Sequence, residues 1–186
     1  MASSAVYRYF PSRDELLTAL IIDAYDAVGE AAEVAAAGKG TVVKRFTAVA
    51  MAIRAWAVAH PHDYALVYGT PVPGYAAPRD TASPAARVSL AALQIVADGV
   101  AAGEVDVSVQ RPIPIPIPTR ADMARLRAVA TIELPDEVLL RVLLAWTTVF
   151  GTISFELFGH LHTVIEDYEA FFRHQAARAA QQVAGG

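Results

Sequence analysis

Four of the five histidines fall in two close pairs, His60-Pro61-His62 followed by Asp63, and His160-Leu161-His162. Imidazoles this near each other can begin a metal centre, but a zinc site needs three or four protein ligands. Neither pair has a third ligand at a workable spacing. Both fall where helices are expected to end, and there an imidazole can simply meet terminal carbonyls. We therefore assign no metal and no cofactor. The absence of cysteine excludes disulfides, thiolate nucleophiles and sulfur-ligated metals. No Ser-His-Asp order, phosphate-cradling glycine loop or inward carboxylate pair stands out, so an enzyme is not expected. The chemistry to look for is binding.

The elements that must position such binding are helices. Of 186 residues, 55% are hydrophobic, 18% are charged and 38 are alanine. Alanine forms helices well and adds little volume, which favours closely packed helices over a sheet. A chain of 19.8 kDa is expected to fold to roughly 8,600 Å² of surface, enough to enclose its own core. Net charge is −4, with 13 arginines and 2 lysines. That balance creates no global field for nucleic acid, so any DNA contact has to be local. The 14 uncharged residues between Arg141 and Glu156 fall short of the roughly 18 to 20 needed to span a bilayer. No secretory leader opens the sequence, so no membrane partner and a cytoplasmic location are expected.

Ser12-Arg13-Asp14-Glu15 reads as a capping box opening a long helix to about Gly38. A second helix should run from about Thr41 to His60, stopped by Pro61, and a short one should start at Asp63. Ser83 and Pro84 fit an N-cap and first helical position for a helix to about Gly103. The run Pro112-Ile113-Pro114-Ile115-Pro116-Ile117-Pro118 favours polyproline II and an exposed loop, with a helix resuming at Arg120.

Residues 138 to 161, placed at 100° steps, carry two apolar stripes and a narrow polar seam of Glu137, Arg141, Thr148 and Thr152. One stripe holds Val138, Val142, Ala145, Trp146, Val149 and Ile153; the other holds Leu140, Leu143, Leu144, Phe150, Phe158 and Leu161. A helix so widely apolar needs cover on two sides. With a last helix from Val164 carrying Phe171 and Phe172, it is expected to form an intermolecular four-helix bundle in a homodimer. The interface residues expected are Leu140, Leu144, Phe158, Leu161, Phe171 and Phe172. A wholly internal bundle is the alternative.

The segment Ala5-Val6-Tyr7-Arg8-Tyr9-Phe10-Pro11-Ser12-Arg13-Asp14-Glu15-Leu16-Leu17 resembles the end of the DNA-binding domain of TetR/AcrR transcriptional regulators. Trp146 to His160 and Tyr68-Gly69-Thr70-Pro71-Val72-Pro73-Gly74-Tyr75 resemble the C-terminal domain of the WHG subclass. The resemblance implies a remnant of a helix-turn-helix at residues 1–12 and a helical ligand-binding and dimerisation domain at 13–186. It implies DNA contacts at Ser3, Ser4, Tyr7, Tyr9 and Arg13. Members carry two further helices before the recognition helix, on which that helix packs to enter the major groove. Here the motif begins almost at Met1, so operator binding is expected only with those helices present.

The resemblance also implies a homodimeric regulator, most simply a repressor, that takes a small, largely apolar effector. Trp56, Tyr64, Tyr68, Trp146 and Phe150 are the residues expected to line the pocket. Arg54, the charge near the middle of its helix, could meet a carboxylate, although a solvated face is the simpler setting. A stand-alone dimeric sensor without DNA contact is the competing function.

Overall fold

A computed structural model describes residues 9–108 and 113–185. Every regular element among them is helical: α1 (Arg13–Ala36), α2 (Val42–Ala59), α3 (Pro61–Tyr68), a 3-10 turn (Arg79–Thr81), α4 (Ala82–Ala101), α5 (Ile117–Ala130), α6 (Asp136–Leu157) and α7 (Tyr168–Ala184). The fold is all-α.

Helix boundaries follow from local chemistry. At the start of α1, Ser12 Oγ accepts from the Glu15 amide at 3.1 Å, while Asp14 and Glu15 favour the positive end. Pro61 ends α2 as expected but itself opens α3, two residues before Asp63, at a position where its missing amide costs nothing. Ser83 is not an N-cap: α4 starts at Ala82, straight after the 3-10 turn. Pro84 then lies in the first turn, whose amides have no intrahelical partner in any case. For the same reason α5 begins at Ile117, with Pro118 in its first turn, rather than at Arg120.

Two glycines set helix spacing. A Cβ at Gly99 would lie 2.1 Å from Val42 Cγ2, so glycine is what lets α4 close on α2. A Cβ at Gly29 would lie 2.9 Å from Arg87 Cβ and Nε. Arg87 of α4 uses that gap to cross α1, donating from Nη2 to Glu33 Oε2 and from Nη1 to Asp26 Oδ1, both at 2.7 Å.

The core gathers on α6, where Val138, Leu139, Val142, Ala145, Val149 and Ile153 are all buried. They meet Phe46 and Ile53 of α2, Val88 and Ile95 of α4, and Phe172 and Ala176 of α7. Phe172 is thus a correction to the expected interface. It is 0% exposed, because α7 turns it inward toward α2, where the Arg54 guanidinium sits 5.7 Å from its ring centre.

A second correction is where α6 stops. It ends at Leu157, because Gly159 takes a left-handed φ of +80°. Leu161 therefore lies beyond the helix. α7 starts at Tyr168, where Asp167 Oδ1 accepts from the Ala170 amide at 2.9 Å.

Admitting Arg141 to the window also changes the membrane test. α6 reaches a mean hydropathy of 1.7 over 18 residues and is long enough to cross a bilayer by composition alone. In the fold about a third of that window is buried, and α6 packs chiefly on α7.

Candidate functional site

α4, α5 and α6 do not close completely on one another. Ser89 and Leu93, Leu126, and Leu139, Val142, Leu143 and Trp146 wall a cleft of about 180 Å³. An apolar cavity of about 150 Å³ accepts benzene. The space therefore suits a guest of about one ring.

Among the described residues no charged one lines this cleft, yet four arginines sit within two positions of its lining residues in the sequence. Each guanidinium makes its hydrogen bonds elsewhere, although Arg141 keeps a buried Nε without a partner among the described residues. Arg87 bridges to Glu33 and Asp26, and Arg125 pairs with Asp122. Arg127 donates to Asp136 and to the Leu134 carbonyl, and Arg141 to the Asp106 carbonyl.

Behind the cleft runs a row of rings. Trp146 lies 4.6 Å from Phe150, Phe150 lies 4.5 Å from Tyr68, and Tyr68 lies 5.2 Å from Tyr64. Tyr25 of α1 meets Tyr68 edge-on at 5.9 Å. Sequence reasoning missed Tyr25; its helical register, one turn before Gly29, was the available signal. The Tyr64 hydroxyl donates to the Phe150 carbonyl at 3.1 Å and shares a 2.8 Å hydrogen bond with Ser154. Burial raises the pKa of Tyr68 and of Tyr64, so both phenols stay neutral at neutral pH.

Trp146 walls the cleft directly, while Phe150, Tyr68 and Tyr64 lie behind it. Trp56 stands apart: it packs on His60 with ring centres 5.9 Å apart and does not reach the cleft. Where its helix faces Trp146 the residual gap is about 10 Å³, lined by Phe46, Val49, Ala50, Ile53, Ala92, Trp146, Val149 and Phe150. That is barely the volume of one water. Room for a guest lies on the other side of Trp146.

Arg54 is another correction. Its Nε and Nη2 donate to Glu156 Oε2 and Oε1 at 2.7 and 2.6 Å, with 13% and 10% of the two side chains exposed. This fork, not solvent, surrounds it, and its pKa is raised first by that hydrogen bond.

Residues 46–179 match the family described as Tetracyclin repressor-like, C-terminal domain. The chain belongs to the TetR family. It is a TetR-family transcriptional regulator, and that family is non-enzymatic. HTH-type transcriptional regulators Rv1816 of Mycobacterium tuberculosis (strain ATCC 25618 / H37Rv) and Mb1846 of Mycobacterium bovis (strain ATCC BAA-935 / AF2122/97) are each 41% identical over 168 residues, spanning 86% of this chain and 68% of theirs. The crystal structure of SCO4313 aligns with a TM-score of 0.72 at 33% identity, over 96% of this chain and 79% of that one. A Rhodococcus sp. RHA1 protein of unknown function shares the fold at a TM-score of 0.65 and 21% identity, over 100% of this chain and 78% of its own.

On this TetR-family chain, the α6 face turned away from the core exposes Leu144 (56%) and Phe155 (53%), and Phe158 (47%), the cap residue after α6, stays half in water beside the Tyr64 ring. Leu140 and Phe171 are half-buried, as is Leu161 in the turn after α6. Phe155, Thr147, Thr148, Gly151 and Thr152 of α6 form an open groove of about 290 Å³ with Leu161 and with Phe171 and Gln175 of α7. Phe155 was missed from sequence, although it continues the spacing of Leu140, Leu144 and Gly151. At the other end, Tyr9 is 82% exposed and Arg13 is the exposed first residue of α1. Ser3, Ser4 and Tyr7 lie outside the described residues.

Proposed function

We propose that this TetR-family regulator is a cytoplasmic repressor that homodimerises through the outer faces of α6 and α7 and is controlled by a small, largely apolar effector. Residues 13–186 form the effector and dimer domain. Residues 1–12 belong to the DNA-reading end, with Ser3, Ser4, Tyr7, Tyr9 and Arg13 as its contacts once the rest of a helix-turn-helix supports them.

The cleft between α4, α5 and α6 carries this reading. An open cleft of about 180 Å³ with a mainly apolar wall holds water against apolar side chains, and a guest of matching size gains by displacing it. The ring row from Trp146 to Tyr25 connects that wall to α1, the helix that follows the DNA-reading segment. A guest can regulate only through unequal affinity for two arrangements of that connection.

Toluene is a suitable probe. At about 100 times its dissociation constant it should add about 2.7 kcal/mol to folding stability, read as a rise in Tm with saturating dose. A Tm that does not move, with no binding heat by calorimetry, refutes the effector site.

A further inference from the structure

Resting on the cleft reading above, we infer that the natural guest is a neutral, one-ring compound bearing a hydrogen-bond donor, of the phenol class, held by Ser89. Among the described residues, Ser89 is the only hydroxyl-bearing one in the lining. Its own proton is committed, because Oγ donates to the Ala86 carbonyl at 2.8 Å. What remains for a guest is an acceptor lone pair. A ligand with an O–H or N–H on its ring can use it directly, whereas an ether or a ketone must first draw the Ser89 proton off the Ala86 carbonyl.

Charge narrows the class further. A carboxylate entering the cleft would leave water without meeting a cation, since none lines the walls among the described residues. The flanking arginines are held by Glu33, Asp26, Asp122, Asp136 and main-chain carbonyls. Arg54 is forked onto Glu156. An ionised group buried without a partner is strongly disfavoured. A cationic guest fares no better, because among the described residues no carboxylate lines the cleft either.

Volume sets the scale of the part of the guest that the cleft covers. At about 180 Å³ the space exceeds the roughly 150 Å³ that houses benzene by little more than one polar substituent. A phenol hydroxyl, with a pKa near that of tyrosine at about 10, stays neutral and protonated at pH 7.

Calorimetric titration of the 186-residue chain at pH 7 with phenol, anisole, toluene, ethylbenzene and benzoate tests this. Anisole keeps the ring and the oxygen but has no donor, and ethylbenzene matches its bulk without oxygen. Phenol should bind about ten-fold more tightly than anisole, the cost of a hydrogen bond left unmade. Ethylbenzene should stay within about two-fold of toluene, and benzoate should give no heat. In Ser89→Ala, phenol should weaken about ten-fold with toluene unchanged. Equal binding of phenol and anisole by the wild type overturns the inference while leaving the apolar site standing, as does an equal loss of phenol and toluene in Ser89→Ala. If none of the neutral probes binds, the cleft reading and this inference fall together. The wild-type comparison needs no variant to fold.

Discussion

The two faces of α6 are built from the same kinds of residue and end up in opposite surroundings. Toward the core, Val138, Leu139 and Ile153 are fully buried. On the other side, Leu144, Phe155 and Phe158 keep about half their surface in water. A helix that only packed its own chain would have no reason to carry large apolar side chains there, and contiguous exposed apolar surface marks an interaction site. Covered and bare apolar faces are thus the internal contrast from which stability and association can be read separately.

The largest effect is expected where the covered side holds charge. Glu156→Ala would strand the Arg54 guanidinium, which has only 13% of its side chain exposed. Breaking such a pair costs about 3 kcal/mol or more, measurable by urea denaturation. A loss below about 1 kcal/mol would mean that water already reaches the fork. Next is Leu139→Ala, at a side chain that is 0% exposed. The cost there is about 2–5 kcal/mol, and part of it should be recovered on saturation with toluene, because Leu139 also walls the cleft.

Association should respond to the opposite face. Leu144→Glu places a charge where the side chain is 56% exposed, so the fold of the single chain should keep its stability to within about 0.5 kcal/mol. The same charge would be buried in a two-fold bundle. Sedimentation should therefore shift from dimer to monomer for Leu144→Glu and stay with the wild type for Leu139→Ala. A monomeric wild type would remove the contrast altogether.

Much of this was legible before the fold was known, and the errors have causes. The buried stripe of α6 is a period of 3.6 in strongly apolar residues, which one sequence displays fully. Phe172 was misplaced because α7 packs it against α2, and Leu161 because its position depends on where α6 ends. That end is set by the left-handed Gly159, which is silent to periodicity. Ser83-Pro84 has the composition of a cap, yet the preceding 3-10 turn had already started the helix. The aromatic row was visible only as an excess of rings, not as an order. Trp56 shares a helix with residues facing Trp146 but sits at its far end, beside His60. The cleft wall was the least legible of all, since Ser89, Leu93 and Leu126 look like ordinary helix residues until three axes are placed. Arg54 was misjudged because its partner is 102 positions away.

The smallest effect belongs to the exposed counterpart of the Arg54 fork, and it sharpens the comparison by its sign. Arg87 holds Glu33 in a geometry as good as that of Glu156, at 2.7 and 2.8 Å, but with 46% of the Glu33 side chain in water. The hydrogen bond from Arg87 lowers the Glu33 pKa below its ordinary value. A depressed carboxylate adds stability above its unfolded pKa, near 4.3, and loses it as pH falls through the folded value. Glu33→Gln should therefore cost at most about 1 kcal/mol at pH 6. That gap should close as the wild type is taken down through the folded pKa, and it should shrink in 1 M salt. A gap that persisted undiminished in acid would show that the carboxylate's charge is not what Arg87 holds, and that the clamp across Gly29 works through packing alone.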